Sequence, residues 1–257
     1  MVTIRQYTIP EFRAYLQNYH DRGAKLRASF LHHTWSPTPA DWQGMRTMEG
    51  IRSAHKARGF SDIACHAYAA PDGTVYNGRP PTTNNCACQA PEKAYSQWPP
   101  ELQALTGGNK SWCNAYGFGI ETVGNFDSED PAKSVAMRTA LDVLADVHRI
   151  WGIPVVHCFF HRDVSSKTCP GSRVTKAWVH AQLEARLHGD APVPTGDPRV
   201  VLLPGNTVIE CRAKLEGRVT RADLRPLAEA LGYTVTAHIA DQGKVYLKPR
   251  HKEVVTP

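Results

Sequence analysis

The sequence predicts an α/β protein, a central mixed β-sheet flanked by helices, followed by a small C-terminal α+β module. Three observations lead there. Along residues 1–188, apolar runs of strand length alternate with stretches whose apolar residues recur at helical spacing. The stretch GDAPVPTGDP at 189–198 is rich in Pro, Gly and Asp, the composition of a semi-stiff linker. Beyond it, residues 199–257 repeat strand and helix signals on a smaller scale and hold no obvious catalytic cluster.

The elements follow in order. Phe12, Tyr15, Leu16 and Tyr19, with Pro10 near the start, have the spacing of an amphipathic helix. ASFLHHT at 28–34 reads as a short strand that ends in the turn SPTP. A helix is expected over 42–56, then a strand over 63–69, the turn Pro71-Asp72-Gly73 and a returning strand at 74–76, which together make a hairpin. Residues 80–112 are irregular and longer than an ordinary connection, so they read as a functional loop or an insertion. GFGIETV at 117–123 resumes as a buried strand, and Val135, Met137, Leu141, Leu144, Val147 and Ile150 mark a helix over 135–150. A strand over 155–160 leads into His161, and a helix over 175–187 closes the first domain. In the module, strands are expected at 200–203, 207–212 and 244–247 around a helix at 221–231.

Composition narrows the classes of function. Apolar residues make up 42% and charged residues 21%, as in ordinary globular proteins and unlike disordered or fibrous ones. The net charge of +6 favours anionic partners, but Lys and Arg never gather into the runs of a nucleic-acid arm, so no nucleic-acid role is expected. The N-terminus is broken by charges and by Pro10 and lacks the apolar core of about 7–15 residues that a signal peptide needs. Nor does any stretch reach the roughly 18 apolar residues of a membrane span. The expectation is a product made in the cytoplasm without membrane insertion. Seven scattered cysteines, an odd number, leave at least one thiol free or bound to metal.

The most informative segment is HRDVSSKTCPG at 161–171. A histidine at a strand end and a cysteine across a loop can converge on one tetrahedral zinc, which favours imidazole and thiolate. Catalytic zinc sites use three protein ligands, and His32, ending a separate strand, is the best third candidate. Strand alternation sends His33 to the opposite face, where it packs or orients a neighbour. Spacing alone leaves open that these are buried, hydrogen-bonded core residues.

Four motifs in a fixed order carry a resemblance: FLHHTWSP, HKARGFSDIACHAYAAPDGTVYNGRP, GFGIETVGNFD and HRDVSSKTCPG, spanning about 29–172. Together they resemble the zinc-dependent N-acetylmuramoyl-L-alanine amidase family of phage lysozyme-type endolysins, cytoplasmic anhydro-muropeptide amidases and peptidoglycan recognition proteins. The resemblance implies that His32, His161 and Cys169 ligate Zn2+, that Lys167 is catalytic, and that peptidoglycan is the partner. Endolysin members carry a catalytic Tyr where this chain has Cys65. The recycling amidases lack that Tyr and use the Glu of a Gly-Ile-Glu strand, which here is Glu121, so Glu121 is assigned as the acid/base and Cys65 as structural. Arg79 and Asn125 flank the family's cleft and are candidates to contact glycan or peptide, against the plainer readings of a surface ion pair and a turn residue.

Other clusters have bland alternatives. Cys86, Cys88, Cys65 and Cys113 could form a second zinc site, but one intervening residue is tighter than usual ligand spacing, which favours separate buried thiols. Tyr95, Trp98, Trp112 and Tyr116 could line a saccharide groove, although core packing is commoner. The function expected is cleavage of the bond between N-acetylmuramic acid and L-alanine by an endolysin or autolysin that reaches the wall after release through a lesion. The alternatives are a non-catalytic peptidoglycan binder and a cytoplasmic muropeptide-recycling amidase. The module's DLRPLAEALG helix between strands resembles stalk-like repeats appended to some secreted bacterial proteins, and cell-wall binding is its expected role.

Overall fold

In a computed structural model the chain divides into two compact units, Met1–Ala191 and Pro192–Pro257. The structure describes residues 2–85, 92–109 and 111–188, and within the second unit the backbone of 199–202, 209–212, 214–216, 219–221, 233–236 and 246–249.

The first unit runs β1 (Gln6–Tyr7), α1 (Ile9–Asp21), β2 (Ala28–His33), α2 (Met45–Ala57), β3 (Ala67–Ala69), β4 (Val75–Asn77), α3 (Pro100–Thr106), α4 (Trp112–Tyr116), β5 (Gly117–Thr122), α5 (Val135–Trp151), β6 (Cys158–Phe160) and α6 (Lys176–Leu187). One six-stranded sheet has the order β1-β4-β3-β5-β2-β6. The inner strands β3, β5, β2 and β6 are parallel, and the β3–β4 hairpin with β1 adds an antiparallel edge. The sheet is mixed, as expected.

Local chemistry explains the helix limits. Thr8 and Glu11 form a capping box at the start of α1, so two backbone N–H groups that would lack partners are satisfied. Ser134 accepts from the Met137 N–H to start α5, and Gly152, at φ 62°, ends it in the left-handed conformation. Met137, Leu141, Leu144 and Val147 of α5 are buried, Ile150 is half-buried and Val135 at the start is exposed, with α1 and α6 packed beside the helix.

Strand alternation divides the core. Leu31, Phe118, Ile120, Phe160, Ala67 and Ala69 join the cluster that includes Leu141, Leu144 and Val147 of α5. Phe30 and Phe159 instead meet Trp98, Leu102 and Trp112, from the segment following β4. Tyr68 and Tyr76 meet Met48 and Ile51 of α2. Each buried side chain of this size contributes about 1.5–3 kcal/mol relative to exposure.

Three expectations need correction. The strand over 63–69 shrinks to β3, because the Cys65 N–H turns to the Tyr68 hydroxyl at 3.0 Å and the Arg79 guanidinium fastens the carbonyls of Ile63 and Asp62. The strand over 155–160 begins only at Cys158, since Val155–His157 forms a 3-10 turn after Pro154. Residues 80–112 include the short helix α3 and the start of α4, and Trp98 and Trp112 are core residues with Tyr95 and Tyr116 packed against them.

In the second unit the described strands are β7 (Arg199–Leu202), β8 (Ile209–Arg212), β9 (Lys214–Glu216), β10 (Val219–Arg221), β11 (Tyr233–Thr236) and β12 (Tyr246–Pro249). They pair antiparallel as β7–β8, β9–β10 and β11–β12. The expected linker and most of the expected helix at 221–231 lie outside the described residues, as do Cys86 and Cys88. Among the described residues no helix is long and apolar enough to cross a membrane.

Candidate metal centre and cleft

The site forms at the carboxyl ends of β2, β5 and β6. His32 is the penultimate residue of β2 and lies in register with Glu121 on β5, so the two side chains leave the same face of the sheet. β6 ends at Phe160 and delivers His161 into a turn, from which the chain loops to Cys169. The Arg162 N–H donates to the Cys169 carbonyl at 2.8 Å and closes that loop.

Gly171 explains the sequence after the cysteine. At φ 117° a Cβ there would lie 2.5 Å from backbone and side-chain carbons of Phe126, so only glycine lets the chain turn under Phe126 and present the thiol. Gly117 is required by close approach instead, since a Cβ would meet the Cys113 carbonyl at 2.4 Å where α4 passes into β5.

One ligand atom each from His32, His161 and Cys169 lie within 4.8 Å of one another. The Cys169 Sγ is 3.7 Å from the His32 Nδ1, and the His32 and His161 rings are 4.9 Å apart. Burial holds the His32 imidazole well below its ordinary pKa, helped by His161, and burial lowers His161 to about 4, helped by Lys167. Both rings are therefore neutral near pH 7 and hold a lone pair for a cation. Burial, then the nearby Glu121, pushes the Cys169 thiol up. Two neutral imidazoles and a buried sulfur at this separation fit one tetrahedral cation of the zinc class.

Around the trio lies a cavity of about 440 Å³. His55, Arg58, Phe60 and Ala64 form one wall, and Glu92, Asp127, Ser165, Lys167 and Thr168 another. An adjoining cavity of about 360 Å³ shares Thr34, His55, Arg58 and Glu121 with it and extends the cleft along α2. Glu121 is half-buried between the two, and desolvation pushes its carboxyl up to about 7 against the small opposing influence of a Cys65 hydrogen bond. The Cys65 Sγ donates to the Glu121 Oε2 at 3.5 Å. Cys65 thus touches the carboxylate itself.

The chain matches the profile of the N-acetylmuramoyl-L-alanine amidase family over residues 22–172. The chain belongs to that family. Among solved structures it is similar to the N-acetylmuramoyl-L-alanine amidase LysC from Clostridium intestinale, at 27% identity and a TM-score of 0.43, with 63% of this chain and 87% of that one covered. It is also similar to the Drosophila peptidoglycan recognition protein PGRP-LB, at 23% identity and a TM-score of 0.41, covering 66% and 92% of the two chains. The catalytic domain of PlyG shares 18% identity at a TM-score of 0.43, with 68% and 87% covered. No curated protein matches.

Within the amidase frame, the structure brings together His32, His161, Cys169, Glu121 and Lys167 around one cavity. It does not bring Arg79 or Asn125 to the cavity wall. Arg79 is buried, with its Nε on the Ile63 carbonyl at 2.7 Å and an Nη on the Ser61 hydroxyl at 3.0 Å, so it tethers the 61–65 loop and makes no surface ion pair. Asn125 organises a turn, its Oδ1 accepting from the Asp127 N–H at 3.1 Å. His33 lies against Phe126, where its Nδ1 accepts from the Phe126 N–H at 3.2 Å, and it still reaches the cavity lining, with its own backbone N–H donating to the Cys169 Sγ at 3.5 Å.

Among the lining residues that sequence reasoning missed are Trp35, Glu92 and Asp127. Trp35 is 60% exposed at the rim and holds a φ of 58°, uncommon for a bulky residue. Its place in FLHHTWSP, just past the His32 strand end, was the available signal. Glu92 and Asp127 come from loops, where no periodicity marks them.

Proposed function

We propose that this chain is a zinc-dependent amidase that hydrolyses the bond between N-acetylmuramic acid and L-alanine in peptidoglycan, as an endolysin or autolysin does. One observation carries the reading: the convergence of His32, His161 and Cys169 in the cavity into which Glu121 and Lys167 project. A protein that only recognised peptidoglycan would need the cleft but not this donor set.

Zinc held by the trio would supply Lewis acidity, polarising the amide carbonyl and making water a nucleophile near neutral pH. Glu121 takes the proton that the attacking water releases as the new C–O bond forms. It returns that proton to the alanine nitrogen as the C–N bond breaks, leaving a muramic carboxylate and a free L-alanine amino terminus. A carboxyl poised at about 7 exchanges protons in both directions near neutrality. The Lys167 ammonium stabilises the negative charge that develops on the carbonyl oxygen. The exposed indole of Trp35 offers a sugar ring an apolar face at the rim.

The second unit serves, in this reading, as a tether to the wall. The test of that part is co-sedimentation of the full chain and of a chain ending at residue 191 with purified sacculi; equal pelleting would remove the tether. The main test is mass spectrometry of digested sacculi together with metal analysis. New L-alanine amino termini, uncut glycan strands and about one zinc per chain are expected, and peptide release without those termini would end the amidase assignment.

A further inference from the structure

Lys167 sits between two residues that are each held by a carboxylate from elsewhere in the chain. On one side, the Glu92 Oε2 accepts from the Ser165 hydroxyl at 3.2 Å, the Ser166 N–H at 3.1 Å and the Ser166 hydroxyl. The Ser165 oxygen in turn accepts the N–H of Lys167 at 3.3 Å, which makes a two-step relay from the carboxylate to the lysine backbone. On the other side, the Asp127 Oδ2 accepts from the Thr168 hydroxyl at 2.9 Å and the Oδ1 from the Ser172 N–H at 2.7 Å.

The Glu92 side is anchored beyond its own hydrogen bonds. The next residue, Lys93, donates its N–H to the Val164 carbonyl at 3.1 Å and its Nζ to the Arg162 carbonyl at 2.7 Å. Trp98 then buries its ring with Val164 and Phe159. Residues 92–98 thus form a strap along the loop that joins His161 to Cys169. The Glu92 Oε2 and both Asp127 oxygens are engaged by loop donors, and among the described residues the Lys167 ammonium forms no ion pair within 4.0 Å, although it lies close enough to Glu92 to help the Ser166 hydrogen bonds lower that carboxyl's pKa. Its charge lines the same cavity as Glu92. A flexible four-carbon stem leaving an unrestrained loop would deliver that charge over a wide arc.

We propose that Glu92, with Asp127 opposite, is a positioning residue that fixes the Lys167 backbone so that its ammonium meets the developing oxyanion. The catalytic part of this proposal rests on the amidase reading above; the holding of the loop does not.

The test combines amide hydrogen exchange with a double-mutant cycle on the full, zinc-loaded chain. Glu92→Ala should speed exchange at the Ser166 and Lys167 amides by about tenfold or more. It should lower kcat by about tenfold while KM changes less than about threefold, the signature of an interaction used in the transition state. Glu92→Gln keeps an acceptor oxygen without charge and should stay within about threefold of wild type. Since Glu92 acts through Lys167, the Glu92→Ala/Lys167→Ala pair should be no slower than Lys167→Ala alone. Ser165→Ala breaks the same relay from the other side and should reproduce the Glu92→Ala result, which covers the case in which Glu92→Ala does not fold. Unchanged amide exchange, or rate losses that multiply in the double variant, would overturn the proposal. A wild-type chain that releases no L-alanine termini would sink the amidase reading, while the exchange data would still decide whether Glu92 holds Lys167.

Discussion

Replacing Glu121 by glutamine in the metal-stripped protein changes how stability depends on pH, and the structure sets both sign and size. Burial lifts the carboxyl from 4.5 to about 7, so between those values the native chain keeps a proton that the unfolded chain has already released. Stability is therefore fully present in acid, declines as pH rises through that window and levels off above about 7. At about 1.4 kcal/mol per tenfold change in proton affinity, the whole displacement is worth at most about 3 kcal/mol. His32 and His161 act in the opposite sense, withdrawing stability as pH falls below about 6.5, because burial depresses their pKa values. Both variants share that effect, so the difference between them isolates Glu121. In urea unfolding with chelator present, the advantage of Glu121→Gln over wild type should grow by about 2 kcal/mol between pH 5 and pH 8. Adding zinc should shrink that growth, because a nearby dication favours the carboxylate. The same variant, zinc-loaded, should lose turnover by about a hundredfold or more. A difference constant across pH would show that the site does not hold Glu121 protonated, and near-normal turnover would remove it as the acid/base.

Three further outcomes are expected. Because His32 and His161 are already neutral above pH 6 and only Cys169 must shed a proton, zinc affinity should rise about tenfold per pH unit between 6 and 8, measured by chelator competition with about one proton released per metal; a slope near zero would mean that the thiol is not a ligand. Gly171→Ala should destabilise the fold by about 3 kcal/mol or more, through backbone strain and the 2.5 Å clash with Phe126, and should lower zinc affinity with it; a melting temperature within a degree of wild type would contradict this. Trp35→Ala should raise KM on glycan-bearing substrate several-fold with kcat little changed, and an equal effect on a substrate lacking the sugar beyond the muramic residue would argue against stacking.

How much was legible from sequence follows from where each constraint resides. The helix α5 was readable because its periodicity reports which face is buried, and the strands β2 and β5 because central strands covered on both faces read as short apolar runs. The 63–66 segment looked like strand by composition, but its backbone partners are set by Tyr68 and Arg79, contacts that exist only once the hairpin has folded. The helix α3 has seven residues and starts among prolines, too short to show a period. At the site, His32, His161, Cys169 and Lys167 stood out because their chemistry is concentrated in short motifs. Glu92 and Asp127 look like ordinary loop acids, and only the hydroxyls and N–H groups brought to them by folding distinguish them. Arg79 shows the reverse limit: a charged residue beside a motif invites a substrate role, and only the folded chain reveals its guanidinium on the Ile63 and Asp62 carbonyls and the Ser61 hydroxyl.

The placement of the reactive groups depends on the core in two different ways. On β2 and β5, the alternation that buries Leu31 and Ile120 against α5 also turns His32 and Glu121 out on the other face, side by side in register. A slip of one residue between these strands would take Ile120 out of the α5 core onto the opposite face and send Glu121 away from His32, so the free energy that fixes the core also fixes this pair. His161, Lys167 and Cys169 lie beyond the end of β6 and gain no such protection. Their geometry rests on the 161–169 loop, which is held by the 92–98 strap, by Asp127 and by the turn at Gly171. Core substitutions on β2 or β5 should therefore cost stability before they alter chemistry. Substitution of Glu92, which unlike Trp98 is no part of the core, should alter chemistry while the fold stays intact, and that separation gives the loop clamp an effect measurable apart from global unfolding.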